Sequence, residues 1–396
     1  MPLGIYISVP FCRTKCSYCN FASGVFSAQG HEAYVARVCA DIAASPAAAE
    51  QLGAALTRQV DSVYLGGGTP TVLAPAQVER IFAAAHAQFD IAEDAEITVE
   101  CAPGTLTSEM LETLLRCGVN RVSLGVQSFV DAESRAVGRL HTRQVTLDDI
   151  ARLRAAGIDN LNVDLIAGLP HQTRESWASS VEAATACGAP HVSVYMLEVD
   201  QDSRLGQELI AGGTRYHAHF VPDDDATADF YVDACERLDA AGIAQYEISN
   251  FARPGFESRH NLKYWTRRPY VGFGVDAHSM LPSAGGAVRW ATPDTLEAFT
   301  AASRSPTVTH VDARAGLEES FFLGLRLNRG IDLAELRSHF GVAVDAYDSA
   351  IRELAENGLL VRQGGRLRLT ARGRLLSNEV FERFVDFAAE DQVRAM

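Results

Sequence analysis

The chain alternates short, β-rich apolar runs with stretches whose apolar residues fall at helical spacing, and it does so about six times. The runs are "GIYISV" from residue 4, "SVYLG" from 62, "EITVEC" from 96, "RVSLGV" from 121, "NLNVDLIAG" from 160 and "HVSVYML" from 191. Between them, residues 75–89 put Val78, Ile81, Phe82, Ala85 and Phe89 on one helical face behind Pro75, which suits a first turn. "TSEMLETLLRCG", "TLDDIARLRAAG" and "TRESWASSVEAATACG" each open on a threonine and close on a glycine, the usual helix cap and stop. Strand, helix, strand in repetition implies parallel strands joined by right-handed crossovers. The fold class expected is α/β, a partial (β/α)6 TIM-type barrel. Polar motifs follow most strands at their C-terminal ends, where barrel enzymes gather their chemistry, and six units leave one side open or covered by the rest of the chain.

After residue 200 the pattern changes. Residues 201–305 read as an irregular extension with aromatic and glycine-rich pieces, "QYEISNF" and "PYVGFGVDAHSM". Residues 306–396 read as a small α+β domain: helices in "IDLAELRSHFG" and "DAYDSAIRELAENG", then a hairpin in "LLVRQGGRLRLT", the order of a winged-helix-like unit. Residues 1–200 form the barrel domain.

No apolar run reaches the ~18 to 20 residues of a spanning helix, and "MPLGIYISVP" has neither a basic start nor an apolar signal core. A cytoplasmic location is expected. The formal charge of −15 argues against nucleic acid as a partner, because such binding rests on Lys and Arg meeting phosphates. Arg362, Arg366, Arg368, Arg372 and Arg374 crowd the hairpin, but the helix before it carries Asp345, Asp348, Glu353 and Glu356, which is no recognition helix for DNA.

Eight cysteines in a reducing compartment are not a disulfide framework. Cys39, Cys101, Cys117, Cys187 and Cys235 stand singly and read as small buried hydrophobes. Cys12, Cys16 and Cys19 cluster in "PFCRTKCSYCNF", just after the first strand. Zinc in a closed site asks for four ligands, and no further Cys or His comes before His31. Three thiolates suit a [4Fe-4S] cluster with one open iron.

CxxxCxxC after the first strand of a partial barrel resembles the radical S-adenosylmethionine (SAM) superfamily, in which the open iron chelates the methionyl end of SAM. The resemblance implies a radical SAM fold and SAM as a cofactor, one molecule with a second conceivable. It also implies SAM-binding roles for Tyr6, for Tyr18 beside the adenine, for Gly67, Gly68 and Thr69 of "YLGGGTPT", and for Glu100 of "TVECAP". The glycine run offers a backbone that a ligand can approach closely, with bare N–H and C=O groups.

"GVQSF", "VGRLH" and "NVDLIAGLP" are similar to the coproporphyrinogen oxidase branch, where Gln127, Arg139 and Asp164 match positions that grip a second SAM. Phe21 stands where that oxidase carries a fourth cysteine, and only eleven residues precede Cys12. Residues 245–279, with the HNxxYW stretch, resemble the HemW family of haem chaperones instead. His260, Tyr264 and Trp265 suit either haem held by an imidazole and flat aromatics or a histidine bracing an irregular loop beside two core aromatics; His278 ranks second as an iron ligand. The resemblance implies haem as cargo, haem-accepting respiratory proteins, an electron donor, a transient membrane-surface contact and a second copy of the chain as partners. The rival expectation is a radical SAM enzyme, either an oxygen-independent coproporphyrinogen III oxidase or a related methylase, whose cluster would supply one electron to break a carbon–sulfur bond of SAM.

Protein purified without oxygen should carry about four irons and four sulfides per chain. Cys12→Ala, Cys16→Ala and Cys19→Ala should each abolish them, whereas Cys101→Ala and Cys117→Ala should leave iron unchanged. Stoichiometric zinc without acid-labile sulfide would overturn the cluster.

Overall fold

The computed structural model describes residues 1–201, 203–301 and 306–385. The expected boundary at 305 and residues 386–396 lie outside them. The first half runs β1 (Leu3–Val9), α1 (Ala28–Gln51), β2 (Gln59–Gly67), α2 (Pro75–Gln88), β3 (Asp90–Cys101), α3 (Ser108–Arg116), β4 (Arg121–Gln127), α4 (Asp131–Ala136), α5 (Arg143–Ala155), β5 (Asn160–Ala167), α6 (Arg174–Ala186) and β6 (His191–Met196). The extension adds α7 (Arg204–Ala211), α8 (Asp224–Ala240), β7 (Ala244–Glu247), β8 (Asn250–Ala252), α9 (Arg259–Trp265), β9 (Tyr270–Gly274), β10 (His278–Ser283), β11 (Gly286–Ala291), α10 (Leu296–Thr300) and β12 (Thr307–Val311).

β1 to β6 pair in sequence order, all parallel, as the strand–helix repetition requires. The extension is far more regular than its sequence suggests. β9 adds a further parallel strand beside β1, while β10, β11 and β12 continue from it antiparallel; β8 and β7 finish the other edge beyond β6. Glycine made this segment look irregular. A side chain at Gly272 would strike the His278 carbonyl, and one at Gly274 the Ser8 carbonyl, so close backbone approach is what these glycines serve.

The sheet has two chemically different faces. Ile5, Ile7, Val63, Leu65, Val99, Val122, Leu124, Val163 and Val192 pack outward against the helices. The alternate positions, among them Ser62, Glu96, Thr98, Arg121, Ser123, Asn162, His191 and Ser193, are buried too, yet polar. Period-2 alternation normally sends polar residues to water; here it sends them into the concavity of a partial barrel. Among the described helices none is long and apolar enough to cross a membrane.

The C-terminal unit has its own core. α11 (Ala313–Leu325), β13 (Ile331–Asp332), α12 (Leu333–Phe340), α13 (Asp348–Glu356), β14 (Leu360–Gln363), β15 (Arg366–Leu369), α14 (Ala371–Leu375) and α15 (Ser377–Val385) enclose Phe321, Val344, Leu367 and Phe384. Its three-stranded sheet runs β13-β15-β14, with Gly364 and Gly365 at positive φ (58° and 81°) making the hairpin turn.

Trp177 tests how α6 and α8 hold the outer layer. It is fully buried, stacks on Phe230 and donates from Nε1 to the Phe230 carbonyl at 2.6 Å. Trp177→Ala should cost about 3–5 kcal/mol, read as a lowered urea midpoint.

Candidate functional site

The loop from β1 to α1 carries Cys12, Cys16 and Cys19. It is closed at its base, where Cys12 N–H donates to Gly24 O (2.8 Å) and Gly24 N–H to Pro10 O (2.9 Å). Its crest is tied from two sides: Ser17 N–H donates to Val137 O (3.2 Å), and Leu205 N–H in α7 donates to Ser17 O (2.9 Å). Each sulfur has a polar neighbour. Thr69 Oγ1 lies 3.8 Å from Cys12 Sγ, Arg139 Nη1 3.6 Å from Cys16 Sγ, and Ser23 Oγ 3.9 Å from Cys19 Sγ. Burial pushes the Cys12 thiol up, against the pull of the Ser23 and Thr69 hydroxyls.

This donor set suits a cluster better than a single ion. Zinc thiolates at 2.3 Å must lie about 3.8 Å apart, and among the described residues no three Cys, His, Asp or Glu side chains converge on one ion. Cluster thiolates each take a separate iron and tolerate hydrogen bonds to sulfur. Gly68 keeps space beside them: a Cβ there would meet Phe11 O at 2.7 Å and Cys12 Sγ at 3.0 Å.

The glycine run is less bare than expected. Gly67 has φ +103°, and its N–H donates to Glu100 Oε2 (3.0 Å), while Gly68 N–H goes to Val9 O and Thr69 N–H to Phe11 O, both 2.7 Å. The parallel ends of β1 and β2 use up these amides, and the Thr69 carbonyl accepts from Val72 N–H at 3.0 Å. Glu100 also accepts from Tyr64 OH at 2.8 Å, and the Tyr6 ring lies 6.0 Å from that of Tyr64. Tyr18 packs, like Leu197, against the cluster of Val137, Ile166 and Leu169.

Arg139 links the cluster loop to the barrel wall. Besides touching Cys16, it donates through Nη2 to the Gly125 carbonyl, and Gly125 is the register partner of Asp164. Asp164 accepts from Asn162 Nδ2 (2.7 Å) and Ser123 Oγ (3.1 Å), and burial pushes its carboxyl up. Gln127 closes β4 at φ 68°, where the register with β5 shifts. Arg139, Thr69, Arg13 and His141 border a second cavity of about 280 Å³. Arg139 Nε has no hydrogen-bond partner among the described residues.

The main cavity, about 420 Å³, runs along the concave face: Ser23 and Gly67 at one end, Tyr64 and Glu100 along its wall, His260 and Tyr264 at the other. The HNxxYW stretch is not an irregular loop but helix α9, capped by Ser258. Its first amides land on a buried carboxylate: Arg259 and His260 N–H donate to Glu96 at 3.0 Å each, the charge a helix N-terminus favours. His260 is 1% exposed, with Nδ1 3.0 Å from Ser62 Oγ and Nε2 2.9 Å from Tyr264 OH. Burial, with the Lys263 and Arg121 charges behind it, lowers its pKa to about 3, so it stays neutral.

Trp265 parts company with its two motif partners. It faces the C-terminal unit, with the Arg326 guanidinium 4.3 Å over its ring. Tyr64, Glu96 and Arg121 were missed in the sequence. They sit at the alternate, cavity-facing positions of β2, β3 and β4, and the same period that places Glu100 could have found them.

Burial pushes the Glu100 carboxyl up to about 7, the Asp164 charge adding to it and the Tyr64 and Gly67 donors opposing it. In the unfolded chain it titrates near ~4.3. The folded state therefore holds a proton that the unfolded state releases; this stabilisation is full below the unfolded value and is lost as pH rises through about 7. Urea unfolding of cluster-free protein should show stability falling from pH 5 to pH 7.5, and Glu100→Gln should flatten that fall by at most about 3 kcal/mol. An unchanged slope would refute the raised pKa.

The profile of the Radical SAM superfamily matches residues 6–184, and that of the HemN C-terminal domain matches residues 311–376. Among curated proteins, "Heme chaperone HemW" of Lactococcus lactis is 34% identical over 97% of each chain. The protein of that name from Escherichia coli is 30% identical over 97% of this chain and 98% of its own. Bovine mitochondrial "Radical S-adenosyl methionine domain-containing protein 1" is 31% identical, over 93% and 84%. The solved structure of E. coli coproporphyrinogen III oxidase (HemN) superimposes with a TM-score of 0.81 at 23% identity, covering 97% of this chain and 90% of that one, and shares the fold. With the cysteine loop, the glycine turn and α9 in place, this near-full-length kinship assigns the chain to the HemW family of radical SAM proteins.

Proposed function

We propose that the protein binds haem and delivers it to acceptor proteins, on a scaffold that holds a [4Fe-4S] cluster and SAM. The observation that carries this reading is its near-full-length match to proteins named heme chaperone HemW. A bound cluster supplies an open iron for SAM and one-electron chemistry. Cys12, Cys16 and Cys19 hold it, and the Arg139 guanidinium beside Cys16 offsets thiolate charge. Gly67, Gly68, Thr69 and Glu100 border the SAM position, with Tyr6 and Tyr18 on its flanks; Gln127, Arg139 and Asp164 line the strip where a second SAM fits. Haem belongs at the end of the main cavity away from those residues, where Tyr264 and Tyr270 offer an aromatic wall that suits a macrocycle face.

The acceptors are respiratory haem proteins in contact with a cytoplasmic carrier that touches the membrane surface transiently and works as a homodimer, and an external donor reduces the cluster. One observation favours a radical SAM enzyme, whether coproporphyrinogen oxidase or methylase. Arg139 ties Cys16 to the strip that holds Asp164, and a carrier has no evident need of a second SAM.

Reconstituted protein given haem should bind it saturably at one per chain and pass it to an apo-acceptor. Given coproporphyrinogen, SAM and reductant, it should form no porphyrin with two vinyl groups. Accumulation of that porphyrin over many turnovers would decide for the enzyme.

A further inference from the structure

We propose that His278 is the residue that ligates haem iron, and that His260 instead fixes the floor of the cavity. This rests on the haem-carrier reading above. Both histidines line the main cavity, but they differ in what their rings are free to do. A neutral imidazole has one donor and one acceptor nitrogen, and His260 spends both, on Ser62 and Tyr264. Its backbone N–H is spent on Glu96, and its Cε1 sits where a side chain on β1 would be, 3.2 Å from a Cβ built at Gly4. Bringing iron to that ring means breaking one of these bonds inside a closed wall.

His278 opens β10 at the mouth of the same cavity, with its side chain 57% exposed. Its ring makes no hydrogen bond to any described residue. Its ion-pair partner among the described residues is Asp276, whose Oδ1 lies 3.9 Å from Nε2. Iron- and zinc-bound histidines characteristically give their second N–H to a carboxylate, which orients the ring and strengthens the ligand. Asp276 is fixed for that part: it sits at φ +55° in the β9–β10 turn, its N–H held by the Pro293 carbonyl at 2.8 Å, and it lines the cavity too. Across the mouth stands Phe21, 65% exposed, on the cysteine loop. Haem gripped here would have one axial ligand near solvent and an accessible opposite face, as transfer to another protein demands.

The test is an anaerobic haem titration of the reconstituted full chain and of His278→Ala, His260→Ala and His278→Gly, reading the Soret band, the ferric resonance Raman spectrum and the dissociation constant. Unchanged cluster iron reports that each variant is folded. His278→Ala should lose the histidine signature and bind at least about tenfold more weakly, and free imidazole added to His278→Gly should restore the signature. His260→Ala should keep it. A parent-like spectrum and affinity in His278→Ala, or loss of the signature in His260→Ala alone, would overturn the assignment while leaving the carrier reading standing. Haem uptake by the parent that never saturates and shows no histidine signature would sink the carrier reading, and this assignment with it.

Discussion

The buried polar face of the sheet is the constraint from which the rest of the structure follows. A carboxylate, an imidazole and an amide turned into a water-poor concavity each need partners, because an unsatisfied buried polar group is costly. The partners arrive in a chain: Asn162 bonds His191, His191 Tyr246, Tyr246 the Ser258 amide, and Ser258 Glu96. Glu96 then receives the first amides of α9. The short helix that carries the HNxxYW signature thus stops one end of the concavity, and the cysteine loop stands at the other, with Glu100 and Tyr64 between them.

The C-terminal unit is joined to this arrangement by charge. Arg326, just past α11, covers the Trp265 ring and lies 3.6 Å from Glu247 Oε2, a carboxylate with no exposure at all. Glu319 on α11 pairs with Arg267 and with Arg289, both at 2.9 Å. An uncompensated charge in such a place is far more damaging than an exposed pair is helpful. These contacts fix the far side of α9 as Glu96 fixes its near side.

What could be read from the sequence was whatever is local. The strand–helix grammar, the threonine caps of α3 and α6, and the glycine hairpin between β14 and β15 depend on neighbours within a few residues, and they stand where they were expected; α5 starts four residues earlier than its "TLDDIARLRAAG" stretch, capped by Thr142 with Thr146 inside the helix. The three cysteines were legible because a loop after β1 needs no tertiary partner to bring them together. β9 was not legible, since its partner β1 lies at the opposite end of the barrel domain and its glycines mimic a loop. Nor was α9, too short for a helical period to show. The separation of Trp265 from His260 follows once α9 is a helix, because five positions turn the two side chains about 140° apart, while the Arg326 that covers Trp265 is announced by no local pattern.

That same arginine has a consequence for inheritance. Glu247 belongs to the edge of the main sheet and its cation to the appended unit, so a descendant that shed the final domain would leave this carboxyl group, among the described residues, with only the Ser249 amide and the Asn250 side chain as donors, and no cation. Loss of the unit would favour an uncharged Glu247, the direction in which burial already pushes this carboxyl. The two pieces of this chain are therefore favoured to be passed on together, because a charge in one has its cation in the other.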